Sequence, residues 1–238
     1  MYQDFAKYYD ELNEFADYKN RAEYVRKLFK KYDRLPTLLL DLCCGTGSFT
    51  KEMLDASIDT VGVDVSEEML NIAMKKCEAL FICQKAEELD LFGTVDGAIC
   101  MLDSVNHITD KKNLKKVFKN VRLFLEKDRL FIFDINTKYK HENVLADNCF
   151  NYFLRDDFIA WTNCRNKKGT HIYIDIFSKV DSLYKRSSVD FFERVYSVEE
   201  LSEMLNKSGF SVVAVHDDMT FSLPHDKSER LYIVAKAK

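Results

Sequence analysis

The segment Asp41-Leu-Cys-Cys-Gly-Thr-Gly47 places two of the chain's seven glycines between a short apolar run and a helical pattern. With no side chains at Gly45 and Gly47, a ligand can approach the backbone at a helix start, where unpaired amides suit a nucleotide-like group. Ordinary strand-to-helix turns use glycine too, so the pair alone decides little. Asp64 shifts the balance: it ends the next apolar run, nineteen residues beyond Gly45, where a carboxylate accepts both hydroxyls of an adenosine ribose. A nicotinamide dinucleotide would suit the same spacing. Counting G-x-G-x-x-G from Gly45, however, brings Thr50 to the third glycine position, and the pyrophosphate fingerprint fails. Further on, Asp103 and His107 lie four residues apart after another apolar run. An imidazole there could exchange a proton near neutral pH, its alternative being a hydrogen-bonded structural role. For Asp103 the alternative is a helix or turn cap.

These residues need a frame that brings strand ends together. Tyr24, Val25, Leu28 and Phe29 recur at helical spacing before Pro36, which predicts a leading helix or two over residues 1–35. Leu38 to Leu42, Thr60 to Val65, Leu80 to Cys83, Val95 to Leu102 and Leu130 to Ile135 read as buried strands. Helical stretches intervene, from about Ser48, from Ser66 with Glu67 and Glu68 at its start, and from Asp110 with Leu114, Val117, Phe118, Val121 and Leu125 on one face. This alternation predicts an α/β fold: a Rossmann-like, doubly wound, mostly parallel seven-stranded sheet, closed by strands at Val212 to Val215 and Leu231 to Ala235. Between these, His171 to Val180 alternates with a period of two, which predicts a small inserted antiparallel sheet. Ser197-Val-Glu-Glu200 is a capping box that opens a further helix. The expected division is 1–136 with 197–238 as the ligand-binding domain, and 137–196 as the insert.

The Asp41 to Gly47 segment resembles the D-x-x-x-G-x-G motif of class I S-adenosylmethionine-dependent methyltransferases, with Cys43 where the family has its first glycine. Most of the chain is similar to bacterial small-molecule methyltransferases related to glycine N-methyltransferase and to nucleotide-sugar N-methyltransferases. The resemblance implies S-adenosylmethionine as cofactor and carries roles onto matching positions. Val61-Gly-Val-Asp64-Val65-Ser-Glu-Glu-Met69 resembles the ribose-binding segment, with Val65 following Asp64 and Met69 near the adenine. Lys85 and Ala86 fall where the family has an aspartate facing the adenine amine and an apolar residue. A lysine accepts no hydrogen bond, so backbone groups or Glu87 would substitute. Asp103 and His107 match the segment beside the transferred methyl group, with Asp103 near the cofactor's amino group or a substrate amine. Tyr2 and Tyr9 match the N-terminal lid, and Arg21 is a candidate for the cofactor carboxylate.

The chain has 238 residues, is 47% hydrophobic and carries a net charge of −4, enough for one substantial core. The mild acidity argues against a broad nucleic-acid footprint. No signal-like start and no long apolar span is present, and the seven cysteines include no C-x-x-C pair, so a cytoplasmic protein without zinc is expected. The insert carries Phe150, Tyr152, Phe153, Trp161, Tyr173, Phe177 and Phe191, most of which are expected to fill its own small core. The leading reading is methyl transfer to a small-molecule acceptor through an amine nitrogen. RNA methylation, a non-catalytic cofactor-binding regulator and an NAD-dependent dehydrogenase stand as alternatives.

Overall fold

The computed structural model describes residues 3–238. Its central sheet contains β1 (Leu38–Leu42), β2 (Asp59–Asp64), β3 (Leu80–Cys83), β4 (Gly97–Cys100), β5 (Leu130–Asn136), β10 (Phe210–Asp217) and β11 (Arg230–Ala237). Their order is β10-β11-β5-β4-β1-β2-β3, with only β11 antiparallel to its neighbours. The continuous apolar runs of β1, β4 and β5 follow from burial on both faces. Leu40, Leu42, Phe131 and Phe133 meet α6 (Lys111–Phe124) and α8 (Val198–Lys207). Their alternates Leu39, Leu130 and Ile132 meet α2 (Tyr18–Tyr32) and α3 (Ser48–Leu54) on the other side. Burying each such side chain stabilises the fold by roughly 1.5–3 kcal/mol.

Three caps expected from sequence are made, the first two by serines: the Ser66 hydroxyl accepts from Met69 N at the start of α4 (Glu67–Lys76), and Ser197 accepts from Glu200 N at the start of α8. Asp110 likewise caps α6 through Lys112 N. Two strands differ from expectation. β3 is one edge of the sheet, with Leu80 exposed, because among the described residues no strand pairs beyond it. The run from Val95 shortens to Gly97–Cys100, since Val95 only bridges to Leu125 and the chain turns at Leu102 and Asp103, both at positive φ. That turn leads into α5 (Ser104–His107), and Asp103 makes no side-chain cap there.

After β5, α7 (Lys138–Lys140) and a π-helical turn (His141–Leu145) lead to a four-stranded antiparallel meander. It consists of β6 (Cys149–Leu154), β7 (Asp157–Asn166), β8 (Gly169–Val180) and β9 (Leu183–Arg194) in that order. The period-two alternation sends Ile159, Ile172, Ile174, Ile176 and Val189 to one face, where they bury Phe5, Tyr8 and Leu12 of α1 (Gln3–Leu12). This corrects the expectation for the insert's aromatics. Isoleucines make its core, Phe153 and Tyr173 are exposed, and Trp161 and Phe191 line the cavity described below.

Candidate active site

The sheet's order reverses between β1 and β4, and the crevice at such a switch point is where open α/β sheets hold ligands. After β1 the backbone takes positive φ at Cys43, Gly45 and Gly47. The Gly45 amide donates to Asp64 Oδ2 at 2.9 Å and the Ser66 amide to Oδ1 at 2.9 Å, so the end of β2 and the loop after β1 are tied through one carboxylate. Burial pushes the Asp64 carboxyl up, and these amides oppose it. A side chain on Gly45 would enter open space, its nearest neighbour being the Tyr9 ring at 4.0 Å. Gly47 differs from the expectation of room for a ligand: a Cβ there would lie 2.8 Å from that of Ala73, so its missing side chain serves packing of α3 on α4. Asp41 is also turned inward, accepting from the Thr50 hydroxyl at 2.6 Å, and burial raises its carboxyl to about 7.

A cavity of about 570 Å³ opens above this loop. Tyr9, Val65, Asp64, Met69, Lys85, Ala86 and Glu87 line one end. Lys85 pairs with Glu88 at 3.4 Å, while Glu87 accepts from Asn113 at 3.2 Å. Burial holds the Tyr9 phenol neutral. Tyr2 lies outside the described residues. Arg21 lines the cavity but is already engaged: its Nη1 donates to Asp218 at 2.7 Å and to the Tyr232 hydroxyl at 2.8 Å, and its Nε to the Ala16 carbonyl at 2.7 Å. A cofactor carboxylate would have to compete with Asp218 for this guanidinium, a pairing that sequence spacing did not reveal.

The other end is an acid–base cluster. Asp103 Oδ1 accepts from Arg230 Nη2 at 2.5 Å, and Arg230 also donates to the buried Asp134. Burial would raise the Asp103 carboxyl, but the Arg230 guanidinium, with Lys140 and His107, outweighs it and holds the group at about 2. His107 Nε2 lies 3.9 Å from Asp103 Oδ2 and 3.8 Å from Glu193 Oε1. Behind Glu193, the buried His141 places Nε2 at 3.7 Å from Oε2 and pairs Nδ1 with the Thr170 hydroxyl at 2.9 Å. Burial lowers His141 to about 4, so it is neutral. Arg230, Glu193, Lys140 and Asp218 were missed in sequence. Only Glu193 left a local signal, a charged residue in register with the inward-facing Val189 and Phe191.

A Rossmann-like sheet with a glycine loop, a pinned acid after the second strand and a switch-point cavity defines a nucleoside-cofactor enzyme of the class I methyltransferase type. Comparison with known proteins makes this specific. A family model described as "Methyltransferase domain" matches residues 39–128. The chain is 30% identical over 243 residues to the putative methyltransferase YqeM of Bacillus subtilis (strain 168), covering 99% of this chain and 97% of that one. It is similar to the crystal structure of an S-adenosylmethionine-dependent methyltransferase from Clostridium acetobutylicum ATCC 824, with TM-score 0.88, 31% identity and coverage of 99% and 98%. At the level of fold it is also similar to the sugar N-methyltransferase KedS8 from Streptoalloteichus sp ATCC 53650, with TM-score 0.77, 16% identity and coverage of 94% and 90%. The chain belongs to the S-adenosylmethionine-dependent methyltransferases, and it is an enzyme that uses that cofactor. The site fits the group: the space above Gly45 is open, Asp64 is held at the end of β2, and Val65, Met69 and Ala86 give an apolar wall. Among the described residues, no helix is long and apolar enough to cross a membrane.

Proposed function

We propose that the protein methylates an amine nitrogen of a small-molecule acceptor. The observation that carries this reading is His107, which lines the cavity and whose Nε2, among the described residues, has the looser carboxylate approaches of Asp103 and Glu193. Such an imidazole is available to take a proton from, or to orient, an attacking amine. The fold-level likeness to a sugar N-methyltransferase supports the same acceptor class.

When bound, the cofactor supplies an activated methyl group on a good leaving group. The protein's work is then mainly alignment. In this reading Asp64 accepts the ribose hydroxyls, and Gly45 lets the cofactor approach the loop that Asp41 and Gly47 shape from behind. Val65, Met69 and Ala86 wall the adenine, with the Lys85 backbone alongside. Tyr9, together with Tyr2, closes the lid, Arg21 attracts the carboxylate tail, and Asp103 faces the cofactor amine or the acceptor. Residues 1–136 and 197–238 serve as the cofactor-binding domain. Residues 137–196 cover the acceptor, a role supported by Trp161, Phe191 and Glu193 on the cavity wall. The free cysteines support a reducing cytoplasm as the working compartment.

The test combines calorimetry and labelled-methyl transfer. S-adenosylhomocysteine is expected to bind the wild type and to lose most of its affinity in Asp64→Ala. Incubation with labelled methyl donor and separate pools of amines, sugars and RNA should put the label on an amine. With that acceptor, His107→Ala should lower kcat about 10²–10⁴-fold while S-adenosylhomocysteine affinity stays within about twofold. Label on RNA or on hydroxyl oxygen, or unchanged turnover in His107→Ala, overturns the reading.

A further inference from the structure

Glu193 is a buried carboxylate on the cavity wall, and among the described residues no lysine or arginine forms an ion pair with it. Its one hydrogen-bond donor there is Asn136 Nδ2, at 3.2 Å from Oε2. The two acids beside it are paired with a cation, since Asp103 and Asp134 share Arg230, and Asp64 takes two backbone amides. Burial and the neighbouring Asp103 push the Glu193 carboxyl up, opposed in part by His107, Asn136 and Lys140, so a cation arriving in the cavity would stabilise its charged form. Behind it, His141 Nε2 is buried without a hydrogen-bond partner and faces the same carboxylate, so the cluster is electrostatically incomplete as it stands.

Three side chains converge at this end of the cavity. One ligand atom from each of Glu193, Asp103 and His107 lies within 4.8 Å of the other two on the cavity wall, a spacing that surrounds one nitrogen at hydrogen-bond distance. The Phe191 ring packs 5.0 Å from the His107 ring, and Trp161 adds a second aromatic wall. A divalent ion is the other group that such donors could hold. Arg230 on Asp103, with Lys140 nearby, already supplies positive charge there, which suits a single charge better than a double one.

We propose that Glu193 is a specificity-determining residue that draws the acceptor in as a cationic amine, its ammonium seated between Glu193, Asp103 and His107 and its carbon skeleton against Phe191 and Trp161. This deepens the N-methylation reading and rests on it for the place of the acceptor. The ammonium gives one proton to His107, whose side chain is 36% exposed and can pass it to water. The freed lone pair then forms the N–C bond as the C–S pair stays with sulfur, and the product leaves as the methylated ammonium. Glu193 neutralises the incoming charge and is unchanged at the end.

The experiment compares benzylamine with benzyl alcohol, a matched pair differing in the charged group, by calorimetry on the protein saturated with S-adenosylhomocysteine. The amine is expected to bind at least about tenfold more tightly, and Glu193→Gln to remove that preference while leaving the alcohol within about twofold. Glu193→Asp, retaining the charge, should restore part of it, and unchanged S-adenosylhomocysteine binding shows that each variant is folded. Equal binding of the pair by wild type, or a preference that survives Glu193→Gln, overturns the proposal. So does Mn²⁺ stabilisation that depends on Glu193 without any amine preference. Methyl label on oxygen with the preference intact upholds the pocket and removes the nitrogen reading alone. Label on nitrogen with no preference does the reverse.

Discussion

Asp41 illustrates how one side chain of the site couples to pH. Its carboxyl is fully buried, pushed up to about 7 by desolvation and only partly relieved by Thr50. In the unfolded chain such a group titrates near ~3.9. Between roughly pH 4 and 7 the folded state therefore holds a proton that the unfolded state lacks. The stability that this group contributes is full below the unfolded value and is lost as pH rises to about 7. Asp41→Asn removes that dependence, so the variant's melting temperature should gain on the wild type by a few degrees between pH 4.5 and 7.5. A constant difference across that range would refute the assignment. His141 works in the opposite direction. Its value of about 4 means that the unfolded state binds the extra proton, and stability falls as pH drops from about 6.5 toward 4.

At the scale of elements, the cofactor loop depends on how closely α3 and α4 approach. Gly47 is the N-cap of α3 at φ 71°, and a methyl there would meet the Ala73 Cβ at 2.8 Å and the Phe81 ring at 3.3 Å. Gly47→Ala should cost roughly 1–3 kcal/mol through this overlap and the left-handed backbone. Thermal denaturation should show a fall of several degrees, and an unchanged melting temperature would mean that the helices part without penalty. Gly45 has open space at the same loop, so the two glycines of one motif serve different ends, one packing and one access.

For the whole molecule, α1 straps the two sheets together. Asp10 receives hydrogen bonds from Thr46 at 2.6 Å, Ser48 at 3.2 Å and Lys76 at 2.7 Å, which fixes the helix to the cofactor loop and α4. Two residues earlier, Tyr8 donates to Asp157 and pairs with Ser178 at 3.0 Å on the antiparallel sheet. Tyr9, from the same helix, covers Gly45. Loosening the strap on the sheet side should therefore weaken cofactor retention. Tyr8→Phe is expected to cost about 0.5–1.5 kcal/mol, read as a two- to tenfold or so rise in the S-adenosylhomocysteine Kd. A fall in melting temperature with no change in Kd would show that the helix only packs.

Sequence by itself determined the features that are local. Apolar runs, caps and the interval from Gly45 to Asp64 each arise from near neighbours, so the parallel core, the antiparallel insert and the acid at the end of β2 were legible in the sequence, whereas the amides that pin that acid were not. The Gly47 contact was not, because it depends on how two helices pack. Nor were the pairings that complete the site: Arg230 meets Asp103 across 127 residues and Asp134 across 96, and Asn136 meets Glu193 across 57. Only the folded chain brings β5, β9 and β11 to one crevice. Whether a charged residue there is compensated or left for a ligand is set by burial and by partners far away in sequence, which no local pattern encodes.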